Sequence, residues 1–228
     1  SLGIPIYEVY GMSECTGPTT VQKPGVHRTG TVGIPAPGSE LRIADDGEVL
    51  MRGPHVFLGY YKNDEATREA LDGEGWLHSG DIGAVDADGF VRITDRKKDI
   101  IITAGGHNIA PQNIEKQLRA IPAVSQAVVV GDRMAYLVTL LTLDPERLVH
   151  VAEAVGSPAR DPRSAADCPR FLTYLESQID VVNKSMARNE MVKKFAVVPI
   201  EFSIEGGELT PTMKIRRRVV IEKYRDVI

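Results

Sequence analysis

The 228-residue sequence has only two cysteines, Cys15 and Cys168, and their spacing matches no metal-binding or redox motif. So few cysteines suit a reducing compartment and exclude a secreted disulfide scaffold. The most apolar stretch, Ala135 to Leu143, is interrupted by two threonines and falls well short of the roughly 18 residues that a membrane-spanning helix needs. Positive charge is not in excess either, with 27 Lys and Arg against 31 Asp and Glu. A strongly basic nucleic-acid binder is therefore excluded, and no nucleic-acid partner is expected.

The sequence also lacks an initiator methionine, a signal-peptide pattern and both of the common glycine motifs for nucleotides, GxxxxGK[ST] and GxGxxG. Its composition, 43% hydrophobic and 25% charged, is that of an ordinary globular protein. At about 150 residues per domain, the chain forms one large or two small domains. We expect any nucleotide to be bound by other means, and the chain to be part of a longer protein.

The first 95 residues are rich in glycine, proline and short apolar segments separated by turn signals such as Asp-Asp-Gly and Asp-Ala-Asp-Gly. This pattern predicts a small antiparallel β unit with one helix near residues 64–71, capped by Asn63 or Asp64. The short strands are predicted at residues 41–43, 49–51, 82–85 and 90–94.

Beyond the charged run 95–99, the sequence predicts alternating helices and strands, which favour a compact α/β or α+β layer. Helices are expected at residues 111–120, 145–155, 169–184 and 214–224, and strands at 124–130, 136–143 and 196–200. The segment 156–169 is predicted to be a surface loop. We place the boundary between two domains, 1–96 and 97–228, in this charged run.

The segment 10–14, YGMSE, follows an extended stretch and presents a ring, a glycine, a hydroxyl and a carboxylate within five positions. The glycine lets the backbone approach a ligand, and the carboxylate suits a hard cation such as magnesium. The same pattern is typical of a turn that ends a strand, with Glu14 in solvent. The segment alone leaves both interpretations open.

Two more candidates follow apolar stretches. Asp81 stands directly after a glycine, where a carboxylate commonly accepts the hydroxyls of a ribose, although a turn aspartate closing on its own backbone fits as well. Arg96 lies in the charged run, and its planar guanidinium suits ribose hydroxyls or a phosphate, with a solvated linker as the alternative. His78 has no acid–base partner nearby in sequence and is not selected.

Two glycine-containing loops carry the remaining candidates. Gly105 and Gly106 allow the backbone to turn sharply or to lie close to a thin ligand. Lys214 ends a loop rich in Gly, Thr and Pro, from which its ammonium could hold a carboxylate against a phosphate and neutralise charge in a transition state. The arginines at 216–218 are predicted to be solvated or to face a phosphate.

Taken in order, YGMSE, GWLHSGD, TDRKKD, the paired glycines and LTPTMK make the sequence resemble the adenylate-forming superfamily, which contains acyl-CoA synthetases, luciferases and the adenylation domains of peptide synthetases. The segments GPHVFLGYYKNDEATREAL and LTPTMKIRRRVV are most similar to the long-chain fatty-acid–CoA ligase branch. The resemblance spans nearly the whole chain. It implies that a fatty carboxylate attacks the α-phosphate of Mg-ATP to give acyl-adenylate and pyrophosphate, and that coenzyme A then displaces AMP.

For the nucleotide, the resemblance implies one role at each of five positions. Tyr10 would flank adenine, and Gly11 would lie close to the nucleotide or the acyl group. Ser13 would contact phosphate. Asp81 would hold the ribose hydroxyls with help from Arg96.

For the metal, the resemblance implies that Glu14 helps to bind magnesium. For the first half-reaction, it implies that Lys214 orients the carboxylate and the α-phosphate. The smaller C-terminal domain would rotate between half-reactions about a hinge at Lys98 or Asp99. That rotation would move Lys214 out of the site and bring Gly105 and Gly106 in beside the coenzyme A channel.

The sequence departs from the superfamily pattern in lacking the Ser/Thr/Gly-rich phosphate loop and most of the N-terminal domain, and in having Met213 where glycine often precedes the lysine. We therefore expect the C-terminal portion of a ligase whose partner is the missing N-terminal domain of the same protein. Alone, it would show little or no ligase activity.

Two rival functions stay open at this level. One is an adenylation domain that loads a carrier protein, and the other is a non-catalytic nucleotide-binding module. For the ligase, the expected substrates are a fatty acid, ATP and coenzyme A. A cytoplasmic location is expected, with peripheral membrane contact left open.

Overall fold

A computed structural model describes residues 4–228, which divide into two compact units between Asp99 and Ile100. Each unit has its own core. This division falls within a few residues of the boundary placed at 96/97. Across the described residues, none of the helices combines the length and the apolar character required to cross a bilayer.

The first unit consists of antiparallel strands and one helix, as the sequence predicts. Its strands form one sheet of three and one sheet of four, and in each sheet the strands lie side by side in chain order. The side chain of Asn63 caps the helix by accepting a hydrogen bond from the amide of Ala66. The elements are β1 Val9–Met12, β2 Gly17–Val21, β3 Ile34–Pro35, β4 Glu40–Ile43, β5 Glu48–Arg52, α1 Asp64–Ala70, β6 Leu77–Val85 and β7 Val91–Arg96.

The core of the first unit is small. Cys15, Val49, Met51 and Leu77 are completely buried in it. Trp76 is also buried, with the guanidinium groups of two arginines on β4 and β5 at 4.3 and 4.4 Å from its ring. This core fixes the four-stranded sheet from which the candidate ribose-binding residues extend.

The second unit has α+β architecture, which confirms the predicted fold class. Its main sheet has three strands. Val124–Val130 and Leu137–Leu143 pair in antiparallel orientation, and Leu137–Leu143 and Val192–Val197 are parallel. The elements are β8 Ile101–Ile102, β9 Asn108–Ile109, α2 Pro111–Leu118, β10 Val124–Val130, β11 Leu137–Leu143, α3 Pro145–Ala154, α4 Pro162–Ala166, α5 Pro169–Asn183, β12 Val192–Val197 and α6 Arg217–Lys223.

Strand β11 is the centre of the second unit. All seven of its residues are buried, because layers of side chains cover both faces of the sheet. One layer includes α2, α3 and α5. The other layer includes Leu209 and Val220, so the segment preceding Lys214 belongs to the core of this unit.

The structure corrects three of the predicted element bounds. The segment 156–169 is not wholly a loop, because Asp161 and Ser164 cap each other reciprocally and start α4. The predicted strand at 196–200 begins earlier, at Val192, and ends at Val197. The last helix begins at Arg217 rather than at Lys214, because Ile215 pairs with Leu209 across the preceding loop.

Helix α6 is held against the sheet by Arg217, one of the arginines that the sequence predicted to be solvated or to face a phosphate. The Arg217 guanidinium lies 2.7 Å from Glu115 Oε1 and donates to the carbonyl of Val129 at 2.8 Å. Glu115 is buried and also accepts from the amide of Val129. Arg217 thus neutralises a buried carboxylate and joins α6 to α2 and β10.

We expect Arg217→Ala to destabilise the second unit by about 3 kcal/mol, because the substitution takes a charged, hydrogen-bonded partner from a buried carboxylate. Urea unfolding followed by circular dichroism would measure the change, because the second unit contains most of the helices. The neighbouring Arg218 is exposed, and Arg218→Ala serves as the control with a change within about 0.5 kcal/mol. Equal effects of the two substitutions would contradict this role of Arg217.

Candidate functional site

The structure brings three of the predicted nucleotide-binding residues together around one carboxylate. Asp81 is 8% exposed. Its Oδ2 accepts a hydrogen bond from the Tyr10 hydroxyl at 2.7 Å, and its Oδ1 lies 2.7 Å from Nε of Arg96. Residues far apart in sequence therefore form one connected polar cluster.

Sheet geometry explains this cluster. Asp81 on β6 and Arg96 on β7 are directly paired across the antiparallel ladder, so their side chains emerge side by side. The amide of Asp81 donates to the hydroxyl of Ser79 at 3.0 Å, which fixes the backbone where the carboxylate begins. The carboxylate is thus directed by the register of the sheet and does not close on its own backbone amide.

The hydrogen bonds within the cluster leave capacity for a ligand. Each oxygen of Asp81 accepts one of these two bonds, and a carboxylate oxygen can accept a second. Burial is the main cause that raises the pKa of Tyr10, and the hydrogen bond to Asp81 adds to this, whereas Ser79 and Arg96 act in the opposite direction. Tyr10 therefore remains a protonated donor at physiological pH, with its ring held in a fixed place.

Gly11 has a structural reason for lacking a side chain. A Cβ at this position would lie 2.2 Å from the carbonyl oxygen of Gly17 on the neighbouring strand, at the irregular register between β1 and β2. Close approach to a ligand was the expected reason for this glycine, but contact with the chain's own backbone already requires it.

Ser13 and Glu14 lie in a single 3-10 turn, Ser13–Cys15, that directly follows β1. Oε1 of Glu14 accepts a hydrogen bond from the Tyr60 hydroxyl at 2.6 Å, and the Glu14 carbonyl accepts from the amide of Phe57 at 2.7 Å. Glu14 is therefore held by a partner, in contrast to the purely solvated glutamate of the alternative interpretation. Tyr60 was not selected as a site residue from the sequence, although it lies in the segment GPHVFLGYYKNDEATREAL, which carries part of the resemblance.

The hinge candidates Lys98 and Asp99 lie in the 3-10 turn Lys97–Asp99, at the end of the first unit. The residue before them is firmly attached: Lys97 Nζ lies 2.6 Å from Asp46 Oδ2 and 2.8 Å from Glu48 Oε2. These two carboxylates raise the pKa of Lys97. This attachment could not be predicted from the sequence, because Lys97 and Lys98 are indistinguishable within a charged run.

Glu48 is a second buried carboxylate close to Asp81 in the sheet. It accepts from the amide of Gly80 at 2.9 Å and lies 3.0 Å from Nδ1 of His78. Burial by itself raises the pKa of Glu48, but the hydrogen bonds from Lys97, His78 and Gly80 outweigh it and leave the pKa below its usual value. His78 thus has a carboxylate partner, Glu48, that lies far from it in the sequence.

Gly105 and Gly106 lie at the exposed tip of the hairpin between β8 and β9. Gly106 has φ of 77°, a left-handed conformation that glycine adopts without strain. Its amide donates to the carbonyl of Thr103, and the amide of His107 donates to the Thr103 hydroxyl. The loop is therefore an ordered turn with its backbone exposed at the tip.

Lys214 is exposed at the tip of the loop before α6. The loop closes on itself, since the amide of Thr210 donates to the Lys214 carbonyl at 2.8 Å and the Lys214 amide donates to Thr210 Oγ1 at 3.0 Å. Met213 has φ of 61°, the left-handed region that favours glycine. The backbone of Lys214 is thus fixed while its ammonium points outward, free to meet a ligand.

Comparison with protein families gives two matches. Residues 1–61 match the model described as AMP-binding enzyme. Residues 98–228, more than half of the chain, match the model described as AMP-binding enzyme C-terminal domain.

Among curated proteins, the chain is 46% identical to the long-chain-fatty-acid–CoA ligase FadD15 of Mycobacterium bovis, over 97% of this chain and 37% of that protein. It is 39% identical to the long-chain-fatty-acid–CoA ligase ACSBG2 of Gallus gallus, over 100% of this chain and 33% of that protein. The chain therefore spans about a third of the length of these relatives.

Solved structures with similar folds include an ATP-bound RpMatB–BxBclM chimera, with a TM-score of 0.73 and 27% identity over 99% of this chain and 42% of that one. O-succinylbenzoate coenzyme A synthetase of Bacillus subtilis, in complex with ATP and a magnesium ion, gives a TM-score of 0.69 and 25% identity, over 95% of this chain and 41% of that one.

We expect Gly11→Ala to destabilise the first unit by about 1–3 kcal/mol, because the new methyl group would overlap a backbone carbonyl that cannot move independently. Urea unfolding followed by the fluorescence of Trp76, the only tryptophan of the sequence, reports on this unit. Gly17→Ala is the matched control, since nothing lies within 4 Å of a Cβ built there. If Gly11→Ala were as stable as the control, the packing explanation would be wrong.

Proposed function

The chain belongs to the AMP-binding enzyme family, and from this membership we propose that it forms the C-terminal part of a long-chain fatty-acid–CoA ligase. The observation that carries the proposal is the Asp81 carboxylate, held between Tyr10 and Arg96 with acceptor capacity remaining. Such a group recognises the two hydroxyls of a ribose. The similarity to long-chain-fatty-acid–CoA ligases over nearly the whole chain supports the choice of substrate class.

The proposed reaction has two steps. An oxygen of a fatty carboxylate attacks the α-phosphorus of ATP, and the bond to the bridging oxygen breaks to release pyrophosphate. The thiol of coenzyme A, after losing its proton, then attacks the acyl carbon of the adenylate and AMP leaves. The whole conversion is fatty acid, ATP and coenzyme A to acyl-CoA, AMP and pyrophosphate.

In the nucleotide-binding half, Asp81 would accept from both ribose hydroxyls and Arg96 would assist at the same edge. Tyr10 would present its ring to adenine, held in orientation by its hydrogen bond to Asp81. Ser13 would contact phosphate from the turn that follows β1, and Gly11 would keep this strand close to its neighbour.

Glu14 suits a magnesium ion that is bound mainly by a substrate. In the described part of the chain, no three His, Cys, Asp or Glu side chains gather into a set that could hold a metal ion. Magnesium characteristically takes one or two carboxylates together with phosphate oxygens and water, and Glu14 offers a carboxylate oriented by Tyr60. When bound, magnesium would neutralise charge on the phosphates.

Lys214 would bridge the fatty carboxylate and the α-phosphate during adenylation, which brings the reactants together and stabilises the developing negative charge. The exposure of its side chain on an ordered loop supports this role. Between steps, rotation at Lys98 or Asp99 would replace Lys214 by Gly105 and Gly106, whose exposed backbone leaves room for the thin arm of coenzyme A.

The proposal places the remaining part of the ligase, including its phosphate loop and acyl site, in the N-terminal residues of the same protein. The location would be cytoplasmic, with peripheral contact to a membrane that supplies fatty substrates.

Lys214→Ala in the full-length gene product should slow acyl-adenylate formation by about 10²–10³-fold, since a group that acts on transition-state charge is lost. Transfer to coenzyme A from synthetic acyl-adenylate should change by less than about twofold, because Lys214 would act only in the first step. ATP–pyrophosphate exchange and acyl-CoA release measure the two steps. The control is Lys184→Ala, which removes an exposed lysine at the end of α5. Undiminished exchange in Lys214→Ala would refute the assignment.

Asp81→Asn should weaken AMP binding by about tenfold, because a hydrogen bond to a charged acceptor is worth about 1.5–3 kcal/mol. Titration calorimetry of the full-length gene product with AMP would give the affinity. Asp45→Asn, at an exposed turn of the same unit, is the matched control. Identical affinities for both variants would count against the ribose assignment.

A further inference from the structure

Glu208 is a buried carboxylate within the loop that carries Lys214. It is 2% exposed, although it lies in a segment otherwise rich in Gly, Thr and Pro. Burying a charge is unfavourable unless it is paired and hydrogen-bonded. Its presence at this place therefore calls for a structural or functional reason.

Three donors surround this carboxylate. Oε1 of Glu208 lies 2.5 Å from Lys223 Nζ and accepts from the Tyr224 hydroxyl at 3.2 Å, and Oε2 accepts from the amide of Ser203 at 3.4 Å. Lys223 is the last residue of α6 and Tyr224 follows it. The carboxylate thus ties the start of the loop to the far end of the helix that follows the loop.

The surroundings are shaped for this contact. A Cβ on Gly206 would lie 2.1 Å from Oε2 of Glu208, so a larger residue at this position would displace the carboxylate. Lys223 Nζ also approaches the Gly206 carbonyl at 3.4 Å, and Arg216 approaches the Gly207 carbonyl at 3.3 Å. Side chains from α6 and from the residue before it therefore hold the whole segment before Lys214.

Backbone contacts extend this hold to the base of the loop. The amide of Arg216 donates to the Glu208 carbonyl at 2.7 Å, and Leu209 pairs with Ile215. Leu209 is 3% exposed and packs in the same apolar cluster as Val220 of α6. Only the tip of the loop, with Lys214, leaves the body of the unit.

The carboxylate is charged at neutral pH. Burial by itself raises the pKa of Glu208, but hydrogen bonds from Lys223 and from backbone amides outweigh it, and the pKa lies below its usual value. A group with a lowered folded-state pKa stabilises the fold above its unfolded pKa and loses that contribution as the pH falls through the folded value. The anchor is therefore intact under physiological conditions.

We propose that Glu208 is a positioning residue for Lys214: its contacts with Lys223 and Tyr224 hold the loop so that the lysine ammonium is presented in one orientation. This inference rests on the proposed function, in which Lys214 acts in adenylation. A misplacement of about 1 Å can slow a reaction by about 10²-fold. A loosened anchor should consequently impair adenylation and leave transfer to coenzyme A intact.

Glu208→Gln keeps the shape of the side chain and removes its charge. In the full-length gene product, we expect acyl-adenylate formation to slow by about 10–100-fold with little change in the KM for ATP. The rate of acyl transfer from synthetic acyl-adenylate to coenzyme A should stay within about twofold. Glu205→Gln, an exposed glutamate of the same loop, is the matched control and should behave as the parent protein.

A double-mutant cycle separates positioning from general stability. If Glu208 acts through Lys214, then adding Glu208→Gln to Lys214→Ala should not slow adenylation further. Equal loss in both half-reactions, an undiminished effect of Glu208→Gln in the Lys214→Ala background, or no loss at all would overturn the inference. If Glu208→Gln does not fold, Tyr224→Phe decides by the same criteria, with an expected several-fold loss confined to adenylation.

The parent protein and Lys214→Ala are measured first. Absence of acyl-adenylate formation in the parent would refute the proposed function, and this inference with it. Activity in the parent, with selective loss in Lys214→Ala but none in Glu208→Gln, would leave the proposed function standing and refute only the role of Glu208.

Discussion

A carboxylate that leaves water must find positive charge or hydrogen-bond donors inside the protein, and this constraint determines how the chain presents its functional groups. Four of the five acidic residues with at most 8% exposure in the described part of the chain illustrate it: Glu48, Asp81, Glu115 and Glu208. Each is within 3 Å of a lysine or arginine nitrogen. In every case the pair joins two different segments of the chain, so the ion pairs fix the segments from which candidate site residues project.

In the first unit, two of these carboxylates act on the same pair of strands. Asp81 meets Arg96, while Glu48 holds the residues next to them, Gly80 and Lys97. The candidate ribose site is therefore supported on both strands by a second charged group. Lys97 is thereby attached to the first unit, and the proposed hinge residues Lys98 and Asp99 follow it directly.

The sequence predicted elements best where burial is continuous or alternating. Strand β11 lies in the most apolar stretch of the sequence and was confirmed within one residue, because both faces of its sheet are covered. Side-chain partners were not predictable. Arg217 and Arg218 look alike in the sequence, and only the start of α6 and the position of Glu115 make the first partly buried and the second exposed. Helix α4 was missed because it depends on reciprocal capping by Asp161 and Ser164 rather than on periodicity.

The roles proposed for Asp81 and Lys214 require opposite solutions to the same problem of precision. A group that binds nucleotide from within a sheet can be oriented by its own partners, as Asp81 is by Tyr10 and Arg96. A lysine that acts in one step and withdraws in the next must stay exposed, so no permanent partner can fix its ammonium. Its orientation then depends on the rigidity of the loop behind it. A buried charge at Glu208 supplies that rigidity where an apolar contact alone would allow sliding, because a hydrogen-bonded ion pair is satisfied in only one geometry.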